Sequence, residues 1–371
     1  MKKVSILVYT LLYLTAYNRA QNADKQTGSS HSMVKMADTT VHYAQEKHLA
    51  NIRQLTFGGD NAEAYFSFNS QMFVFQSNNP AWGLDCDQIF YTKIDGAKMD
   101  KEMPTRISTG LGRTTCSYFM PGDSTIIFAS THIGNGSCPL TPAKRDDGKY
   151  VWPIYKDYDI FVADLKGNTI DTLTRYEGYD AEATVSPKGD RIVFTSLRTG
   201  DLELFTMNID GSDVKQVTTG LGYDGGAFFN ADGTKLVFRA SRPQSAEEQE
   251  DYKRLLKEGL VLPTNMEIYT CNVDGSDLKQ ITKLGKANWA PFFTPSGDKI
   301  IFSSNHHSER GWQFNLFAIN LDGTGIEQIT YDKVFDAFPM FSFDGKKLIF
   351  SSNRNNGGTH NTNLFIADWV N

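Results

Sequence analysis

One phrase is written three times in this chain. DGSDVKQVT begins at Asp210, DGSDLKQIT at Asp274 and DGTGIEQIT at Asp322. Each copy is an Asp-Gly turn followed by an alternating run whose Val, Ile and Leu positions stay in phase, and such self-similarity constrains a fold more than any composition does. The spacing suits a unit of roughly 40 to 50 residues that carries insertions.

Extending the comparison outward divides the chain from Ile52 onward into six pieces. Each has an apolar strand closing on Phe, at Phe75, Phe128, Phe194, Phe238, Phe302 and Phe350. A second strand follows in every piece, as QIFYTKIDG, DIFVADLKG, ELFTMNIDG, EIYTCNVDG, NLFAINLDG and NLFIADWVN. Gly-containing turns such as SPKGD, NADGT, TPSGD and SFDGK precede the first strand, the connection expected between antiparallel neighbours. Aromatic residues at 12% and 31 glycines fit short strands joined by tight turns.

The ends of the repeat decide how the units assemble. A strand of the KQVT kind closes five units, the sixth stops at Asn371 without one, and a spare copy, IRQLT from Ile52 to Thr56, stands before the first. An array of sheets leaves open edges unless its ends meet, so the spare strand is expected to complete the last unit. The expected fold is therefore all-β: a six-bladed β-propeller over residues 48–371, closed by an N-terminal strand. Its blades fall near 57–108, 109–174, 175–218, 219–282, 283–330 and 331–371 with 52–56.

The phrases VSPKGDRIVFTS, NADGTKLVFRA and TPSGDKIIFSS, each followed by LFxxNxDG or IYxxNxDG and then xQ[VI]T, resemble the WD40-like (PD40) repeats of TolB-type propellers, exported proteins of the Tol envelope system. The likeness spans Ile52 to Asn371. It implies a periplasmic location and a protein or envelope partner such as a peptidoglycan-associated lipoprotein. A TolB protein also carries a sizeable domain ahead of its propeller, whereas only residues 21–47 are available here.

Before the repeats, Lys2 and Lys3 precede an apolar run from Val4 to Tyr17 and then small or polar residues around Ala20. This is the layout of a secretory signal peptide over residues 1–20, followed by a polar linker over 21–47. Export is the expectation, with no transmembrane segment in the mature chain and a monomeric state. A net charge of −6 supplies no basic footprint for nucleic acid.

In a propeller the loops entering the innermost strands and those between second and third strands share one face, the funnel mouth. Counting along each unit places Asn61, Thr114, Asp180, Asp224, Asn288 and Asp336 at the start of the innermost strands. Asn79, His132, Arg198, Arg242, His306 and Arg354 follow 18 residues later in each. The three Asp units are the three Arg units, as cross-strand pairing would select. Paired, they fix the mouth of a blade; free, they bind a ligand through Arg or a cation through Asp.

Two residues further along lie Glu63, Cys116, Glu182, Gly226, Ala290 and Phe338. Carboxylates near an axis suit a divalent cation in the central channel, and no other cofactor is indicated. There is no HExxH, CxxC, GxSxG or Walker-type loop. A ligand is expected toward the first three blades, at Glu63, Glu182, His132 and Arg198, with Trp152 of the insertion from Ile133 to Lys156 as a lid. A second insertion from Ser245 reads as a short capped helix. In an oxidising compartment one disulfide is expected among Cys86, Cys116 and Cys138, with Cys116–Cys138 favoured because both belong to one blade, and Cys271 buried and free.

These residues favour an exported binding module that recognises an envelope protein or other periplasmic ligand. The alternative is a metal-dependent, lyase-like enzyme on acidic polysaccharide, or a scaffold for a hydrolase.

Overall fold

Each of the six repeats folds as a four-stranded antiparallel sheet. In order from innermost to outermost strand, the first blade is Asp60–Phe66, Met72–Asn78, Gln88–Lys93 and Thr105–Arg106. The third is Asp180–Val185, Arg191–Ser196, Glu203–Asn208 and Lys215–Gln216, and the others repeat the plan. The chain thus forms an all-β, six-bladed propeller, seen in a computed structural model that describes residues 40–370 apart from 96–98, 100–102 and 144. The expected leader, and the linker as far as residue 39, lie outside the described residues.

The repeated Phe explains why the blades stack. Phe75, Phe128, Phe194, Phe238, Phe302 and Phe350 are all fully buried. Each faces an aromatic residue of the third strand, as Phe75 faces Phe90 and Phe238 faces Tyr269. Ring centroids in these two pairs lie 5.9 and 6.0 Å apart. A buried aromatic of this size contributes about 1.5–3 kcal/mol, so one such pair in every blade dominates the core.

Outer strands are short, only two residues in four of the blades. Short edges offer little backbone for another chain to pair with. In the sixth blade the fourth strand is Leu49–Gln54, antiparallel to Asn363–Trp369, with Leu49 opposite Trp369.

One expectation needs correcting. Residues 40–47, assigned above to a linker, are packed: the Glu46 side chain has no exposed surface and meets Arg354 at 2.9 Å. Tyr43 donates to Asp332 at 2.8 Å. Polarity without periodicity suggested solvent, but these polar groups find buried partners 285 or more residues away.

Both insertions lie on the funnel side and pair with each other. Trp152–Pro153 of the first forms a two-stranded sheet with Leu260–Val261 of the second. The helix Ala246–Lys257 begins at Ser245, whose side chain and that of Glu248 form a reciprocal capping box, and it buries Tyr252 and Leu255. Lys149–Asp251 and Arg145–Glu258 join the insertions at 2.8 and 3.3 Å.

Candidate functional site

The innermost strand of every blade carries a bulge, visible as a break in register such as that between Ala62 and Tyr65 or between Ala181 and Thr184. The bulged residues are Glu63, Cys116, Glu182, Gly226, Ala290 and Phe338, all at positive φ between 43° and 59°. Five are not glycine, and left-handed backbone at such residues is uncommon. A bulge re-aims a side chain, and here it does so in five blades, the fourth having Gly226 at that place.

Glu182 is the most heavily bonded of these. It accepts from Thr195 Oγ1 at 2.7 Å, Tyr223 OH at 2.7 Å and the Gly226 N–H at 2.9 Å, and it also pairs with Arg239. The Arg239 guanidinium lies 5.3 Å from the Trp152 ring and 5.2 Å from that of Tyr223. Gly226 leaves room for it in this position, since a Cβ there would stand 2.0 Å from Arg239 Nη1. The sequence pattern missed Arg239 and Tyr223. Their signal was available: Arg239 follows the repeated Phe directly, where the other blades have Gln76, Ala129, Thr195, Ser303 and Ser351.

At the blade mouths the spaced charges pair as their spacing predicts. Asp180 meets Arg198 at 2.8 Å, Asp224 meets Arg242 at 2.6 Å, and Asp336 meets Arg354 at 3.0 Å. Each Arg lies over its blade's aromatic residues, Arg198 at 5.1 Å from both Phe194 and Phe205. Asp180, Asp224 and Asp336 are fully buried, and burial pushes the Asp180 carboxyl up to about 6. These groups act as blade fasteners.

The uncharged blades fasten differently. Asn288 accepts from Ser304 at 2.6 Å and donates to the Met266 and Gly285 carbonyls. His306 and His132 bond to Ser304 and Ser130 through Nδ1 at 2.9 and 2.8 Å, and burial lowers the pKa of both. His132 does not bond Thr114, whose hydroxyl donates to the Asp87 carbonyl.

The disulfide expectation is corrected: Cys138 is bonded to Cys86, with Cα atoms 5.7 Å apart, and Cys116 is free. Belonging to one blade proved a poor guide. The insertion leans back onto the first blade, with the Gly112 N–H bonded to the Gly136 carbonyl and Arg113 paired to Asp87, which brings Cys138 to Cys86. Cys116 instead faces Glu63 in the channel.

Beside the channel opens a cleft of ≈560 Å³. Its walls include Trp152, Trp289, Phe314, Phe335 and Phe338, with Trp312 and Tyr150 at the rim. Trp152 and Trp289 lie 5.0 Å apart, Trp289 and Phe314 4.4 Å, and Phe314 and Phe335 5.6 Å. This cleft borders blades five, six and one, so of the expected ligand set it takes in Trp152 and not Glu63, Glu182, His132 or Arg198. Among the described residues no three His, Cys, Asp or Glu side chains are gathered in a metal-binding group, and no helix is long and apolar enough to cross a membrane.

No protein-family model and no curated protein sequence matches the chain. Solved structures do. A putative TolB from Agrobacterium tumefaciens aligns with a TM-score of 0.54 and 17% identity, over 84% of this chain and 91% of that one. The chain has the fold of a TolB-type propeller. TolB from Acinetobacter baumannii aligns at 0.53 and 17%, over 81% of this chain and 64% of its own. The chain therefore spans less than two thirds of that structure's own length. An oligogalacturonate lyase in complex with manganese aligns at 0.50 and 12%, over 91% and 98%.

Proposed function

We propose that this TolB-type propeller is an exported binding module that recognises an envelope protein through the aromatic cleft on its funnel face. The observation that carries the reading is the cleft itself. Trp312 at its rim is 80% exposed and Tyr150 is 63% exposed, beside a continuous wall of Trp and Phe. Large aromatic surface left in water is a liability that a partner relieves, and Trp and Tyr are over-represented among residues that dominate protein interfaces. The channel groups beneath are bonded mainly to one another, which suits a binding surface. The apolar leader supports export to the periplasm, and the fold likeness supports a partner of the peptidoglycan-associated lipoprotein class. The lyase alternative draws on fold likeness alone.

Calorimetric titration with the soluble domain of the peptidoglycan-associated lipoprotein from the same organism tests this. A one-to-one complex is expected, weakened at least tenfold by Trp312→Ala, about 1.4 kcal/mol, and unchanged by Asp210→Ala on the opposite face. Absence of binding, or loss in the Asp210 variant alone, would overturn the proposal.

A further inference from the structure

Glu63 and Glu182 occupy the same position two blades apart, yet their surroundings differ. Around Glu182 the fold supplies Thr195 from its own blade and Gly226, Tyr223 and Arg239 from the next. The residues in register around Glu63 are Gln76, Cys116, Arg113 and Ala129. The Gln76 side-chain oxygen accepts from the Cys116 N–H and the Thr115 hydroxyl, at 3.3 and 3.1 Å. Arg113 is turned to Asp87. Ala129 stands where Arg239 stands, so no cation comes from the next blade. Glu63 retains the Cys116 thiol, while its Oε2 is shielded from solvent and has no hydrogen-bond partner. The Ser351 hydroxyl of the adjoining sixth blade is buried and unpartnered as well.

A buried carboxylate oxygen without a donor is costly, and native structures rarely leave one unless something else fills the place. Oε2 itself is closed off, but Glu63, Cys116, Gly226 and Phe338 each keep part of their surface exposed, so a group approaching Glu63 reaches it by a small turn of the side chain. The aromatic cleft comes up to this point, lined by Ala62, the chain neighbour of Glu63, by Gln76 and by Phe338, Trp152 and Trp289.

We infer that Glu63 is the anchor for a guanidinium group, supplied by an arginine of the protein partner that enters the channel through the aromatic cleft. The inference rests on the binding reading above and names the chemistry of its deepest contact. The molecule already displays that chemistry once, in Arg239 held between Trp152 and Tyr223 against Glu182. A planar guanidinium suits such a place better than an ammonium, because it stacks on rings and presents several donors at once. Burial raises the Glu63 carboxyl above its ordinary value, and Glu182 and Asp87 push the same way while Cys116 and Arg239 oppose. A proton on this carboxyl opposes an arriving cation, so binding tightens as pH rises.

The test uses the full chain and its tryptophan fluorescence, titrated with the blocked peptides acetyl-Gly-Leu-Xaa-Leu-Gly-amide in which Xaa is Arg, Lys or Gln. The Arg peptide is expected to bind at least fivefold more tightly than the Gln peptide, with Lys between them. That ratio should grow from pH 5 to pH 8 and fall to about one in Glu63→Gln. The pH series on the unaltered protein keeps the inference exposed even if the variant is poorly folded. Equal affinity for the Arg and Gln peptides would overturn the anchor and leave the cleft standing as a binding surface. Failure of all three to bind, or a ratio unchanged by Glu63→Gln, would also overturn it, while the lipoprotein titration judges the wider reading separately.

Discussion

Arg354 has a side chain with no exposed surface, and it is shared between two carboxylates, Glu46 and Asp336. Arg198 and Arg242 hold one carboxylate each and keep 23% and 20% of their side chains in solvent. Removing a wholly buried partner strands the remaining charges, at a cost of about 3–5 kcal/mol. Arg354→Met is therefore expected to lower the urea midpoint far more than Arg198→Met, and equal losses would contradict this account. The difference between these arginines was half legible. The 18-residue spacing gives away the Asp partner because both lie on adjacent strands of one repeat. Glu46 sits in a stretch with no periodicity and meets Arg354 only after the ring has formed, so no local pattern points to it. Glu63 and Glu182 are the converse case: counting placed both on the channel, but only the three-dimensional register reveals that one has its cation and the other does not.

At four of the blade junctions a polar residue at or next to the start of a third strand faces the first residue of the next blade's innermost strand. At the later junctions an amide makes the bond: Asn288 donates to Glu267 at 3.1 Å, and Asn315 to Asp336 at 3.3 Å. Two junctions instead place acid against acid, Asp159 with Asp180 and Glu203 with Asp224. Between Glu203 and Asp224 a retained proton does the work of the amide hydrogen. Burial, then Asp224, raises Glu203 from 4.5 to about 8. Burial also raises Asp180 from 3.8 to about 6. Because these groups bind protons more tightly folded than unfolded, their stabilisation is complete below the unfolded values and is lost as pH climbs through about 6 and then about 8. The melting temperature should fall between pH 5 and 9, and Glu203→Gln, which carries a permanent donor, should flatten the upper part of that decline. A variant that declines as steeply as the parent would refute the clasp. Strands, turns and the capped helix at Ser245 were legible because period-2 alternation and capping chemistry are local. The pairing of Trp152–Pro153 with Leu260–Val261 was not, since two-residue strands carry no period.

For the molecule as a whole, six repeats in register specified the propeller, because a repeated buried Phe has few other ways to be covered. The covalent tie was harder to read, since it joins neighbouring blades. The Cys86–Cys138 bond closes a loop with a sequence separation of 52 residues, for which chain entropy gives up to about 4 kcal/mol. Replacing both cysteines by Ala should cost a large part of that in chemical denaturation, whereas Cys116→Ser should leave the disulfide intact in non-reducing peptide maps. A map joining Cys116 to Cys138 would refute the pairing. The sixth blade has a mechanical consequence. Its outer strand runs antiparallel to Asn363–Trp369, with Leu49 beside Trp369, so the two ends of the sheet leave the disc at one place. A tension applied between a tether at the N-terminus and the C-terminal end would peel these strands bond by bond, the weakest loading direction for a sheet. Ahead of that seam, however, Tyr43 and Glu46 are fixed to Asp332 and Arg354. The ion cluster would take the load first, as a rivet set just before a zip, and force spectroscopy should find one abrupt rupture before the peeling begins.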